Sequence, residues 1–362
     1  MPKPIVIRRG TIAWSLLTMS KNGRRRRRVT LSTPPVLATT AIPHNENSQR
    51  AYAKRFRVFA FREFLLRSFF FPRPSSSLMS SGGAGAGITV LDVAGGKGCL
   101  SWILRNVDSV NSVIVDPVVP DHRRLVKSVN FLLDNPEETR LRSTEGLSTH
   151  QPLAKLIPRL VENCRDDGGG VGGDNLILRP TSPSYMRIRV DSVLVDMLRE
   201  VVVVDSSSSS SSSERDALRS WDQYWHDARI YDDARQRVRA YGEVGAKYIA
   251  SDYDDCQIID PRRALEAFRS SDLIVGFHPD QATEAIIDLA LLLKVPFAVV
   301  PCCVFPREFP ERTMNGKRVR LYDELVEYLR AKHERIRTTT LPFVATEFAR
   351  KVVLYMLAED FA

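Results

Sequence analysis

Residues 88–98 run Ile-Thr-Val-Leu-Asp-Val-Ala-Gly-Gly-Lys-Gly and hold the pattern most directly tied to chemistry. A β-branched, apolar run carries Asp92 and breaks into a turn with Gly95, Gly96 and Gly98. It reopens as a helical pattern from Cys99 to Asn106. Strand, glycine loop and helix in that order bring bare backbone N–H groups and a helix N-terminus up to a ligand. A second strand, Ser112 to Val115, ends in Asp116, 18 residues beyond Gly98. That is close to the spacing at which nucleotide-binding sheets set an acid against ribose hydroxyls. A carboxylate accepts both hydrogen bonds of a diol.

Two further segments run from a buried strand straight into polar or reactive side chains. The first is Ser271-Asp272-Leu-Ile-Val-Gly-Phe-His278-Pro279-Asp280-Gln281-Ala-Thr283-Glu284. The second is Phe297-Ala-Val-Val-Pro301-Cys302-Cys303-Val-Phe305-Pro306. In a parallel α/β sheet, such strand ends are where ligands bind. His278 and Asp280 are candidates for a general base or for orienting a substrate, since imidazole titrates near neutrality. Gln281 and Thr283 can hydrogen-bond a base or an amide. Cys302 and Cys303 read as buried structural thiols or as a nucleophile toward a pyrimidine carbon. No Cys-x-x-Cys pair accompanies them, so no metal site is expected.

The turn fits the dinucleotide fingerprint G-x-G-x-x-G poorly, because Ser101 stands where the third, packing glycine belongs. It fits the D-x-G-x-G-x-G pattern of S-adenosylmethionine (SAM) methyltransferases better. Asp92, Gly96 and Gly98 match, and Ala94 replaces the first glycine. With Gly96-Lys97-Gly98, Gly276-Phe277-His278 followed by Ala282-Thr283, and Cys302-Cys303, the chain resembles Rossmann-type methyltransferases. One such group is the tRNA 2′-O-methyltransferase family with a Lys-His-Leu-Cys-Gly signature, although Asp280 or Gln281 stands where its cysteine would. The motifs His-Pro-Asp-Gln-Ala-Thr-Glu and Pro-Cys-Cys-Val-Phe-Pro resemble more closely those of eukaryotic "methyltransferase domain" proteins. The resemblance covers about 52–132 and 260–356. It implies SAM held by Asp92, Gly95, Gly96, Gly98, Asp116 and Asp272. It also implies an acceptor side formed by the His278 loop and Pro301 to Cys303, with RNA, tRNA foremost, as the acceptor. The loop lacks the Asn-Pro-Pro-Tyr clamp of exocyclic-amine methyltransferases. Two rival readings stay open: an inactive SAM- or RNA-binding scaffold, and a protein methyltransferase.

The chain has 362 residues and a net charge of +9. Residues 1–50 hold ten of the 52 Lys/Arg and one of the 43 Asp/Glu, so the remainder carries 42 of each. The high pI is therefore no argument that the folded part binds nucleic acid. Arg24 to Arg28 and the Ser, Thr and Pro around them suit an organelle transit peptide, a nuclear signal or RNA-binding arm, or a solvated tail. Five cysteines without framework spacing indicate a reducing compartment. No apolar run is long enough to span a bilayer. The expectation is an intracellular protein, in the nucleus, the cytoplasm or an organelle.

These residues need a scaffold. The sequence predicts an α/β protein with a doubly wound, mostly parallel sheet, since buried apolar strands alternate with helical patterns. Residues 1–50 read as a disordered basic tail. Residues 51–87 read as a basic aromatic helix, Tyr52 to Phe71, and a Pro/Ser/Gly linker, and 88–362 as the main domain. The helix reads as packing its apolar face on the sheet, with a nucleic-acid ledge as the alternative. A flexible insert is expected over about 134–220, from Asp166 to Gly173 and the run Ser206 to Ser213, with the short apolar pieces Arg187 to Val195 and Val201 to Val204 inside it as strands or helix segments. Trp221, Tyr224 and Trp225 share one helical face and read as core. Ala246 to Ala250 is a strand candidate. Strands are expected at Leu273–Phe277 and Pro296–Pro301, helices at Ala282–Lys294 and Asp323–Lys332, and closing strands within Phe343–Met356.

Overall fold

The computed structural model describes residues 5–8, 57–70, 87–122, 125, 175–178, 181–206, 211–229, 256–341 and 350–362. In chain order the strands are β1 (Ile5–Arg8), β2 (Thr89–Val93), β3 (Asn111–Val115), β4 (Asn175–Leu178), β5 (Ser184–Met186), β6 (Leu273–Phe277), β7 (Phe297–Val300), β8 (Thr313–Met314), β9 (Lys317–Arg318), β10 (Arg337–Thr340) and β11 (Val352–Met356). The helices are α1 (57–65, continuing as a π-helical turn Leu66–Phe70), α2 (Cys99–Asp108), α3 (Ser192–Ser206), α4 (Ser211–Ala228), α5 (Pro261–Arg269), α6 (Thr283–Leu293) and α7 (Tyr322–Arg330).

Seven strands form one sheet in the order β10-β11-β7-β6-β2-β3-β5. The pairs β7–β6, β6–β2, β2–β3 and β3–β5 are parallel. β11 runs antiparallel to both β7 and β10, so it alone is reversed. The sheet is apolar on both faces because helices cover both. Alternation along the strands divides the core. Leu91, Val93 and Ile274 pack with α3 to α7, whereas Val90, Leu273 and Val275 pack with α1 and α2. The protein is thus α/β with a mostly parallel, doubly wound sheet.

The insert expectation is corrected in extent: α3 runs through the apolar pieces at 192–195 and 201–204, and more of the stretch is regular than those pieces. The stretch 134–220 contains β5, which extends the main sheet beside β3, together with α3 and most of α4. Leu194, Leu198 and Val201 recur at helical spacing and are buried, as are Trp221 and Trp225. Both indoles also donate outward, Trp221 Nε1 to Pro261 O at 2.7 Å and Trp225 Nε1 to Ile259 O at 2.9 Å, which ties α4 to the start of α5. The glycine run 166–173, Ala246 to Ala250, the linker and nearly all of residues 1–56 lie outside the described residues. Among the described residues no helix is long and apolar enough to cross a membrane.

Candidate functional site

From β2 the chain winds through β3 to β5 on one side, then returns to β6 and β7 on the other. The carboxyl ends of β2 and β6 therefore meet at a switch in strand order, where α/β sheets open a crevice. A cleft of about 1560 Å³ lies there, and its walls include Asp92, Gly96, Asp116, His278 and Asp280.

Asp92, the last residue but one of β2, is only 1% exposed. Its Oδ2 accepts from the Ser101 hydroxyl at 2.8 Å and from the Ser101 backbone N–H at 3.3 Å. Ser101 sits in the first turn of α2, so the acid satisfies one of the helix's open donors. The other oxygen, Oδ1, is buried with no hydrogen-bond partner. Burial pushes the Asp92 carboxyl up to about 7, against the hydrogen bonds from Ser101.

The glycine turn is positioned by its neighbours. Gly98 has φ +71°, and a Cβ there would meet Ile114 Cδ1 at 2.3 Å and His122 Nε2 at 2.8 Å. Gly96, at φ +56°, opens onto free space. Its N–H donates to Asp116 Oδ2 at 2.8 Å, while Val118 N–H donates to Asp116 Oδ1 at 2.7 Å. Asp116 is thus aimed at the glycine turn, and its remaining lone pairs are left for a ligand. Burial raises its carboxyl above the ordinary range. Ala94, which replaces the first glycine of the pattern, adopts φ +53°. Lys97 reaches Asp121 at 3.1 Å.

Across the cleft, His278 and Asp280 both take left-handed backbone, at φ +56° and +47°. His278 N–H donates to Val300 O, while its Nε2 is buried without a partner. Burial, and then the charge of Arg57, lower the imidazole to about 4, so it is neutral at neutral pH. Cys302 Sγ donates to Asp280 Oδ1 at 3.0 Å. Gln281 lines the cleft beside them. The Thr283 hydroxyl instead donates to Asp280 O at 2.8 Å and is buried, so it braces the loop.

Two expectations change here. Asp272 does not join the site. It precedes β6, at the opposite end of the sheet, where its Oδ2 accepts from Thr89 N–H at 2.8 Å. The Cys pair is not a buried structural one either: Cys302 is half-buried and Cys303 exposed.

Other residues of the site were not candidates in the sequence, although Glu284 and Phe305 stand inside the two quoted motifs. Arg57 projects from α1 with its guanidinium 5.5 Å from the Phe277 ring centre. Its phase is legible, because Arg57, Phe61 and Leu65 recur every four residues and Phe61 stacks on Phe277 at 5.0 Å. Arg189 and Asp191 enter from the chain just after β5. Glu284, in the first turn of α6, accepts from Arg312 Nε at 2.6 Å and from the Tyr328 hydroxyl at 2.7 Å, and pairs with Lys332 at 2.8 Å. Burial works against its ionisation, but these bonds hold its carboxyl below the ordinary value. The Arg312 guanidinium stacks on Phe309 at 3.6 Å, and Phe309 lines the cleft with Phe305.

Fold and site together define an α/β protein with a cleft at the switch point of a mostly parallel sheet. Comparison with protein-family models, with curated proteins and with solved structures returns no match.

Proposed function

We propose that the protein is a SAM-dependent methyltransferase. The observation that carries this reading is the buried, unpartnered Asp92 Oδ1 on the wall of a cleft that also receives Asp116 and the open face of Gly96. A buried carboxylate oxygen without a donor is costly and asks for a cationic or hydrogen-bonding ligand. The sheet supports the same reading. Its strands follow the doubly wound order 3-2-1-4-5, but the last strand is reversed and inserted before the sixth. A dinucleotide-binding sheet would set the sixth strand beside the fifth.

The residues present fit an adenosyl sulfonium. Asp116 would hold ribose hydroxyls, the turn of Gly95, Gly96 and Gly98 would admit the nucleoside, and Asp92 would face its positive end. When bound, SAM supplies an electrophilic methyl group. Alignment is then the main requirement, with proton removal where the acceptor needs it. His278 is neutral, and its free Nε2 can take that proton, while Asp280 and Gln281 orient the acceptor. RNA, tRNA foremost, is the acceptor implied by the resemblance, in an intracellular compartment.

A protein acceptor is the second reading. One specific observation favours it: beyond His278 the cleft is lined by Asp280 and Glu311, carboxylates that disfavour phosphate, while Glu284 and Asp288 beside them are neutralised by Arg312 and Lys332.

Calorimetry with SAM and its demethylated product tests the cofactor. Micromolar binding by the wild type and none by Asp92→Ala is expected, and equal binding by both would reject the assignment. Labelled SAM in a cell lysate, with and without ribonuclease, separates RNA from protein acceptors. Binding without any transfer identifies the scaffold reading.

A further inference from the structure

We propose that Cys302, Cys303 and Asp280 form a binding site for a thiophilic divalent metal ion of the zinc class, on the wall of the cleft. β6 and β7 are parallel neighbours with Phe277 paired to Val300, so the loops that leave their carboxyl ends meet. His278 and Asp280 take left-handed turns, and the His278 N–H donates to Val300 O at 3.1 Å, which holds this loop against the end of β7. For residues other than glycine such turns cost about 1–2 kcal/mol each, a strain that concentrates at functional sites. The result is three ligand atoms, two sulfurs and a carboxylate oxygen, all within 4.8 Å of one another.

Zinc–sulfur bonds of about 2.3 Å and zinc–oxygen bonds of about 2.0–2.2 Å set tetrahedral ligand atoms about 3.4–3.8 Å apart. The three atoms therefore need only small side-chain rotations to share one ion. Neighbouring positions in the chain are no obstacle, since the two sulfurs already lie within 4.8 Å of each other. The donor set also selects the metal. Thiolates suit zinc and its relatives, whereas magnesium and calcium take oxygen ligands. Three protein ligands leave a fourth position, as in zinc sites that bind water or substrate. Asp280 lines the cleft, so that position is reachable from it. On binding, each thiol releases its proton to solvent and the metal takes its place. The Cys302 hydrogen bond to Asp280 is the contact the metal replaces.

The test uses the full chain, reduced, stripped with a chelator and titrated with cobalt(II), cadmium(II) or zinc(II), with no SAM present. One equivalent should bind, with thiolate-to-metal charge-transfer absorption for cobalt and cadmium, and excess magnesium should not compete. Cys302→Ser and Cys303→Ser should each weaken zinc affinity, measured against a chromogenic chelator, by at least about a hundredfold, beyond the cost of losing an outer-shell partner. Asp280→Asn should weaken it less, and Cys99→Ser not at all. Absence of charge-transfer absorption in the wild type, or zinc affinity unchanged in the Cys302→Ser/Cys303→Ser double variant, would overturn the proposal. Because SAM is absent throughout, the result is independent of the cofactor assignment.

Discussion

The backbone N–H of Gly96 donates to the Asp116 carboxylate across 2.8 Å, linking the turn after β2 to the end of β3. The bond fixes the acid against the glycine turn before any ligand arrives. Asp116 also accepts from Val118 N–H. Replacing it with Ala strands two backbone donors, and hydrogen bonds to a charged group are worth about 1.5–3 kcal/mol each. Asp116→Ala should therefore lower stability in urea unfolding by about 2 kcal/mol or more. Asp116→Asn, which keeps one acceptor oxygen, should lose less than Asp116→Ala. Both should bind SAM more weakly than the wild type.

Ala94 and Gly98 respond in opposite directions. Ala94 holds φ +53° and carries the cost of a Cβ in left-handed backbone. Ala94→Gly should stabilise by roughly 0.5–1 kcal/mol, the steric relief less the extra chain entropy. Gly98→Ala combines φ +71° with a 2.3 Å approach to Ile114 Cδ1. Strain and overpacking together should cost about 2–4 kcal/mol. Thermal melts of the two variants read both signs, and the same direction of change in each would contradict the geometry.

Acid stability follows from three buried groups. His278 and His122 are both lowered to about 4 from 6.5, chiefly by burial. The unfolded chain binds their protons more readily, so stability falls as pH drops from 6.5 toward 4. Asp92 acts in reverse: raised from 3.8 to about 7, it makes the folded state the better proton acceptor, so stability falls as pH rises through that window. Each group contributes a slope of up to about 1.4 kcal/mol per pH unit. His278→Gln should flatten the loss on acidification, and Asp92→Asn should steepen it. Urea midpoints followed from pH 4 to 7 measure both slopes.

The stretch read as an insert should prove part of the core. Trp221 is fully buried and its indole N–H is satisfied by Pro261 O. Trp221→Ala should cost about 3–5 kcal/mol by cavity formation. A loss under 1 kcal/mol in chemical denaturation would mean that α4 is dispensable.

Legibility tracked the length and burial of each element. β6 and β7 could be read because a strand buried on both faces is a near-continuous apolar run that ends at a polar residue. β5 could not, since three residues give no periodicity and Pro180, Ser182 and Pro183 just before it read as loop. The β8–β9 hairpin carried a signal that went unread: Asn315-Gly316, with φ +51° and +72°, is the two-residue turn such hairpins favour. In the site, Asp92, Gly95, Gly96, Asp116, His278 and Asp280 were readable because the cleft collects strand carboxyl ends, whereas Gly98 packs against Ile114 and His122. Asp272 failed on the same rule, since five strand residues separate it from that end. Arg189 and Glu311 reach the cleft through tertiary packing, which local spacing does not encode.

Glu284 stands on the cleft wall yet is fastened by Arg312, Tyr328 and Lys332, all from later in the chain. That bank is clamped to α7 and behaves as a fixed jaw. The opposing bank is held by packing instead: Arg57 rides on α1, whose Phe61 stacks on Phe277.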